Sequence, residues 1–171
     1  METKTSKNIF APQLESAFKE LQYILSSLTE EQLNRVPFEG SWTAGQVGDH
    51  LLKSYGVAET LNGRTEKANR PPDEKAEKIK SVFLNFDIKL QSPDFIIPTN
   101  DHINKEQLLQ KIAEKAGDIL HAVETKDPTE ICLDFELPVL GTLTRLEWAC
   151  FVFCHTTRHI HQLRKIISSM S

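Results

Sequence analysis

The residues best suited to chemistry lie near the end of the chain, where His155 and His159 are four positions apart. If this stretch is helical, side chains at that spacing project from the same face, one above the other. Two neutral imidazoles placed in this way can bind one divalent metal ion. The apolar run before His155 favours a partner for its ring, because an unpartnered imidazole is costly to bury. Two ordinary histidines on a helix surface are the alternative.

A metal site needs a third ligand, and His50 is the candidate. It lies within a predicted helix, among Val47, Leu51 and Leu52, where a side chain is expected to face the core. A single histidine in that setting also fits a hydrogen-bonded core residue. The pattern alone therefore leaves both interpretations of His50 open.

The other histidines are not predicted to be ligands. His161 follows His159 by two positions, about 200 degrees around a helix, so we expect it at the surface or in an interface. His102 and His121 have no partner at ligand spacing, and we assign both to structure or solvent. Gln162, three positions after His159, could orient a metal ligand or a bound water by a hydrogen bond without binding the metal itself, or it could be a surface glutamine.

Other reactive side chains have structural explanations. Cys150 and Cys154 are also four apart, but their apolar setting favours small buried hydrophobes over a thiolate site. Asp49 precedes His50 directly but points about 100 degrees away from it around the helix, so we expect it to face solvent or form a salt bridge. Trp42 precedes a helix as a packing anchor that could also line a pocket mouth. Glu147 has a complete explanation as a helix-capping residue.

Helical periodicity accounts for most of the chain. Two starts are marked by capping boxes, Thr43 with Gln46 and Thr144 with Glu147. The apolar first half of the last helix places it in the middle of a bundle. The sequence predicts an all-α four-helix bundle with irregular connections. The predicted helices are 10–28, 44–61, 105–124 and 144–169, with a short turn at 29–34 and a weaker helix at 71–84.

Two segments that connect the helices have weaker sequence patterns. Residues 85–103 are broken by prolines, and residues 127–143 alternate apolar and polar positions. We interpret 127–143 as an extended arm or loop rather than a paired strand. Asn62 and Gly63 suit the left-handed conformation that ends many helices.

Composition limits the classes of function. The 171 residues fit a single domain, 1–171, and the net charge of -4 shows no basic stripe for nucleic acid. No apolar stretch is long enough to span a membrane, and residues 1–8 lead into no signal-peptide core. Three cysteines among apolar neighbours do not form a disulfide framework. We expect a cytoplasmic protein with a small-molecule substrate and no nucleic-acid or membrane partner.

Two segments carry a family resemblance: Ser-Trp-Thr-Ala-Gly-Gln-Val-Gly-Asp-His at 41–50 and His-Thr-Thr-Arg-His-Ile-His-Gln at 155–162. The chain resembles the DinB superfamily, and within it the YfiT-like branch of metal-dependent hydrolases and bacillithiol or related thiol S-transferases. Trp42, Glu147-Trp148 and Gln162 are also in the expected places. The resemblance implies a four-helix bundle whose metal ligands are His50, His155 and His159.

The resemblance also implies a chemistry. Three imidazoles leave an open coordination position, and the ion can lower the pKa of a bound water to about 7 or activate a thiolate. Zn is the default metal for these ligands, while Ni, Fe, Mn and Co also accept three nitrogens. The implied activity is hydrolysis or thiol S-transfer, the latter with a low-molecular-weight thiol. The alternatives are a non-catalytic metal-binding bundle and a stress-associated interaction module. A homodimer is also expected.

Overall fold

The structure, a computed structural model, describes residues 7–170, so most of the segment 1–8 lies outside it. Between these limits the chain is mostly helical, with two short strands and one 3-10 helix. The α-helices are α1 (Ala11–Ser27), α2 (Glu30–Asn34), α3 (Ala44–Ser54), α4 (Val57–Leu61), α5 (Ala76–Phe83), α6 (Lys105–Thr125) and α7 (Arg145–Met170). The strands are β1 (Thr65–Lys67) and β2 (Glu130–Cys132), and the 3-10 helix is Asp94–Ile96.

Four helical units form the bundle: α1, α3 together with α4, α6, and α7. Helices α1 and α3 each pack against α6 and α7, α4 extends the layer of α3 against α6, and α5 lies along α7. Their apolar stripes meet in one buried core, which includes Leu14, Leu51, Ile112 and Leu163, all fully buried. The predicted periodicity therefore corresponds to the faces that pack together.

Helix α7 lies in the middle of this arrangement, as its composition predicts. Trp148, Ala149, Cys150 and Val152 in its first half are all buried. Burial on nearly every side explains why this half lacks a polar face. None of the helices within residues 7–170 has the length and apolar character to cross a membrane.

Both predicted capping boxes are present. The hydroxyl of Thr43 accepts a hydrogen bond from the Gln46 amide N–H, and the Gln46 side chain accepts one from the Thr43 N–H, each 3.0 Å long. Thr144 and Glu147 form the same reciprocal pair at the start of α7. These caps satisfy N–H groups that a helix start leaves without partners, which fixes where α3 and α7 begin.

The predicted helix 44–61 is interrupted. The chain turns at Tyr55–Gly56, so α3 ends at Ser54 and α4 begins at Val57. Gly56 has a low helix propensity, and a hydrogen bond to Thr156 holds the Tyr55 ring in the core. The left-handed ending at 62–63 is also wrong, because Asn62 has a φ of -97°. A Cβ at position 63 would meet the carboxylate of Asp134, which would then have to move.

The interpretation of 127–143 as unpaired is wrong for one part. Strand β2 pairs antiparallel with β1, with Thr65 opposite Cys132. The partner strand, Thr-Glu-Lys, has no apolar alternation, so the sequence gives no sign of the pairing. The predicted helix 71–84 begins late, at Ala76, and the backbone N–H of Lys75 just before it donates to the carboxylate of Glu147.

Candidate metal centre

Three histidines from two helices meet inside the bundle. His50 comes from α3, and His155 and His159 come from α7. The Nε2 atom of His155 lies 3.1 Å from Nε2 of His50 and 3.1 Å from Nε2 of His159. The side chains of His50 and His155 are buried, and that of His159 is half-buried. The structure thus brings together the residues that the sequence analysis singled out, in an arrangement that could hold a metal ion.

A backbone carbonyl orients the ring of His50. Its Nδ1 atom lies 2.8 Å from the carbonyl oxygen of Ile96, at the end of the 3-10 helix. Because a carbonyl can only accept, Nδ1 of His50 carries the proton and donates. In a neutral imidazole this leaves a free lone pair on Nε2, which faces the other two histidines.

A side chain of α7 orients His159 in the same way. The Nδ1 atom of His159 lies 2.8 Å from Oε1 of Gln162, so Nδ1 donates and Nε2 keeps its lone pair. Of the two interpretations of Gln162, the structure therefore shows the one in which it contacts a candidate ligand. Such contacts behind a ligand fix both the tautomer and the ring orientation.

Burial keeps all three rings neutral. It lowers the pKa of His50 from its usual value and lowers the pKa of His155 well below it. Burial also lowers the pKa of His159 to about 3, with a further contribution from repulsion by His50. Only the neutral form of histidine offers a lone pair to a metal, so these shifts favour coordination near pH 7.

The three rings cannot satisfy each other by hydrogen bonds alone. His50 and His159 both present lone pairs on Nε2, and a proton on Nε2 of His155 can serve only one of them. The remaining lone pairs then face each other within 4.8 Å. A cation satisfies all three at once. For comparison, two nitrogens bound tetrahedrally to Zn at about 2.0–2.1 Å lie about 3.3 Å apart, close to the observed 3.1 Å.

Aromatic rings surround the cluster. The Trp42 ring lies 5.1 Å from the His50 ring and 6.4 Å from the His159 ring. Phe151 stacks on His155 at 5.2 Å, and Phe83 meets His155 edge to face at 6.1 Å. Trp42 therefore lines the candidate site, which is one of its two predicted roles. These rings keep the region of the three Nε2 atoms low in dielectric.

The remaining histidines lie elsewhere, as predicted. His161 is exposed and stacks on Phe86 at 4.2 Å. His102 is exposed and contacts the carboxylate of Glu30. His121 is also exposed. None of the three is near enough to join the cluster within the described residues.

The other reactive side chains keep structural roles. Cys150 and Cys154 are fully buried, and both a hydrogen bond with Cys154 and burial raise the pKa of Cys150. Glu147 is fully buried, and its carboxylate accepts hydrogen bonds from the Arg70 guanidinium and the Lys75 backbone in addition to its cap. Asp49 forms the expected salt bridge, with Lys53 at 3.0 Å.

Some parts of the site were not foreseen. The Ile96 carbonyl carried no signal, because any residue supplies a backbone oxygen and the segment around it is irregular. Phe83 and Phe151 have apolar spacing that fits an ordinary core, so nothing in the sequence separates their contact with His155 from core packing.

Comparison with solved structures supports the bundle. The chain aligns with YfiT from Bacillus subtilis with a TM-score of 0.56 and 22% identity, covering 99% of this chain and 90% of that chain. YfiT is described as "a probable metal-dependent hydrolase with an unusual four-helix bundle topology". This likeness confirms the predicted all-α four-helix bundle.

Sequence comparison identifies the family. The chain is 26% identical to the uncharacterized protein YuaE of Bacillus subtilis (strain 168) over 142 residues, which is 83% of this chain and 87% of that protein. It also matches the DinB superfamily over residues 13–163, which include all three clustered histidines. The resemblance noted in the sequence is thereby confirmed, and the chain belongs to the DinB superfamily.

Proposed function

We propose that this protein is a metal-dependent hydrolase whose single divalent ion is held by His50, His155 and His159. The observation that carries the proposal is the convergence of three Nε2 atoms, two of them 3.1 Å from the third. The fold of YfiT, itself described as a probable metal-dependent hydrolase, supports the same assignment. A divalent ion bound by three neutral imidazoles keeps an open position and lowers the pKa of a water bound there to about 7.

The protein's own residues prepare this site. Ile96 and Gln162 hold the protons of His50 and His159 on Nδ1, so the Nε2 lone pairs are available without any rearrangement. The rings of Trp42 and Phe151 limit access of bulk water. A small-molecule substrate with a hydrolysable bond is the class that this arrangement suits.

Zn is the metal we propose. The ligands are neutral nitrogens of intermediate softness, and the observed Nε2 separations suit the short bonds of a tetrahedral site. Ni, Fe, Mn and Co also accept three nitrogens and are the alternatives.

A second candidate is thiol S-transfer with a low-molecular-weight thiol. The three ligands found together are all neutral, so they add no negative charge that would repel a thiolate from the ion. A non-catalytic metal-binding bundle would have the same ligands and no turnover. The homodimer stays a prediction.

The first test combines metal content with turnover. Purified wild type should contain about one ion per chain by elemental analysis and hydrolyse 4-nitrophenyl acetate, with activity removed by chelation and restored by Zn²⁺. His155→Ala should lose both, while His121→Ala, an exposed histidine outside the cluster, should keep both. Equal metal content in wild type and His155→Ala would contradict the proposal.

The thiol alternative needs a separate assay on the same samples. Transfer of cysteine to 1-chloro-2,4-dinitrobenzene replaces the aromatic chloride by the cysteine sulfur and releases chloride and a proton. Metal-dependent transfer without metal-dependent ester hydrolysis would favour the transferase. Metal at full content with neither reaction would favour the non-catalytic bundle.

A further inference from the structure

We propose that Asp49 is a positioning residue for His50, acting through the backbone of residues 96–99. Asp49 does not touch the other two clustered histidines. It holds the irregular segment whose Ile96 carbonyl orients the His50 ring. This inference rests on the proposed function, because it concerns a ligand of the proposed metal centre.

One face of α3 binds this segment. Gln46, Asp49, His50 and Lys53 follow the spacing of neighbours on a helix surface, and each contacts the backbone of residues 96–99. Gln46 and Asp49, nearer the start of α3, contact Thr99, and His50 and Lys53 further along contact Ile96 and Ile97. The Gln46 amide donates to the Thr99 carbonyl at 3.0 Å, and the Lys53 ammonium donates to the Ile97 carbonyl at 2.8 Å.

Asp49 is at the centre of these contacts. Its Oδ2 atom accepts the Thr99 N–H at 2.9 Å and lies 3.0 Å from the Lys53 ammonium. Only 17% of the Asp49 side chain is exposed. The same oxygen thus holds Thr99 directly and fixes the ammonium that binds the Ile97 carbonyl. A charged acceptor makes such hydrogen bonds stronger than neutral ones.

The segment has little freedom between these points. Pro98 lies between Ile97 and Thr99, and a proline restricts both its own φ and the residue before it. Ile97 has the expected extended conformation, with φ of -65° and ψ of 130°. Fixing Ile97 and Thr99 therefore fixes the direction in which the chain leaves Ile96, and with it the position of the Ile96 carbonyl oxygen.

Backbone groups need partners where an irregular segment is partly buried, and in residues 96–99 Ile96 and Pro98 are buried. Here the partners come from side chains of one helix, and that helix also carries His50. The ring and the carbonyl that orients it are therefore held in one rigid unit. Loss of the Asp49 carboxylate should release Thr99 and loosen the hydrogen bond of His50 Nδ1, while leaving the apolar core of α3 intact.

The test compares three variants. Asp49→Ala removes the acceptor for Thr99, whereas Asp49→Asn keeps a neutral oxygen of the same size. Glu15→Ala is the matched control, since Glu15 forms a similar i,i+4 ion pair with Lys19 on α1 at 3.2 Å. Zn²⁺ affinity is measured by competition with a chromophoric chelator. The Nδ1–H resonance of His50 is followed by nitrogen-15 NMR in the metal-free proteins.

We expect Asp49→Ala to weaken Zn²⁺ binding about 10-fold or more, the range found when groups behind metal ligands are removed. Asp49→Asn should recover to within about threefold of wild type, because its amide oxygen can still accept from Thr99. The His50 Nδ1–H signal should broaden in Asp49→Ala and persist in Asp49→Asn and Glu15→Ala. Metal-free Asp49→Ala should unfold at a urea concentration close to that of the control.

Wild-type Zn²⁺ affinity together with an unchanged His50 signal in Asp49→Ala would overturn the inference. Failure of the proposed function gives a different result, because wild type itself would then bind no Zn²⁺. In that case the NMR signal of the metal-free proteins decides whether Asp49 positions His50.

Discussion

The imidazoles of His50, His155 and His159 can bind a metal only in their neutral form. Their burial also makes the free energy of unfolding depend on pH. In the folded metal-free protein the pKa of each ring is lowered, mainly by burial. In the unfolded chain the same rings have a pKa of about 6.5. Below that pH the unfolded chain binds protons that the folded protein does not. Acidification therefore favours unfolding.

The first prediction concerns this dependence. The free energy of unfolding of metal-free wild type should fall as pH decreases from about 6.5 toward 5, a range in which most carboxylates stay ionised. Because the pKa of His159 is lowered to about 3, this ring stays neutral in the folded protein throughout that range. His159→Gln should reduce the slope by up to about 1.4 kcal/mol per pH unit. Urea unfolding at several pH values measures it.

The control for this prediction is His121→Gln, because His121 is exposed. Its slope should match wild type. A slope in His159→Gln equal to that of wild type would show that the pKa of His159 is not lowered in the folded protein.

At the level of single residues, the sequence predicted which histidines lie in the candidate site better than it predicted what those histidines contact. The four-residue spacing of His155 and His159 follows from helix geometry and needs no other information. His50 required the family resemblance, because a lone core histidine is more often a hydrogen-bonded core residue than a metal ligand. The oxygen of Ile96 could not be foreseen at all, since its position depends on a segment without regular structure.

At the level of elements, the start of α7 is joined to the segment before α5 by a buried ion pair. Both Oε atoms of Glu147 accept from the Arg70 guanidinium, at 2.7 and 2.9 Å, and each also accepts a backbone N–H, from Thr144 or Lys75. Each oxygen of the Glu147 carboxylate therefore already accepts two hydrogen bonds. This ion pair helps fix the N-terminal end of α7, the helix that carries His155 and His159.

The second prediction is that Glu147→Gln lowers the free energy of unfolding by about 3 kcal/mol or more. The amide NH2 must face donors whichever way it is turned, and Arg70, with 14% of its side chain exposed, loses its buried counter-charge. Urea unfolding at pH 7 measures the loss. Glu31→Gln is the control, since Glu31 is 82% exposed in its ion pair with Arg35, and its loss should be about 0.5 kcal/mol or less. Similar losses in both variants would contradict the prediction.

Local chemistry explains which elements the sequence could predict. Helix starts at Thr43 and Thr144 were predictable because both partners of each capping box lie within four residues. The pairing of β1 with β2 and the contact of Glu147 with the backbone just before α5 join residues more than 60 positions apart. Such long-range contacts leave no periodicity in either segment.

At the level of the whole molecule, the candidate centre connects distant parts of the chain. His50 and His155 are 105 positions apart, and they belong to α3 and α7, two helices that pack against each other. An ion bound only when these helices are together stabilises the folded state by mass action. The size of this effect depends on all three ligands being present in one folded bundle.

The last prediction follows from this linkage. At a free Zn²⁺ concentration about 100 times the dissociation constant, the folded protein should gain about 2.7 kcal/mol, which raises the Tm of a chain of this size by about 5–10 °C. Circular dichroism with Zn²⁺ or with a chelator measures the shift. His50→Ala should lose most of it, because His155 and His159 alone lie on one helix and cannot join α7 to α3. His121→Ala should keep it. A full shift in His50→Ala would show that any bound ion is held within α7 alone, and that His50 is a structural histidine.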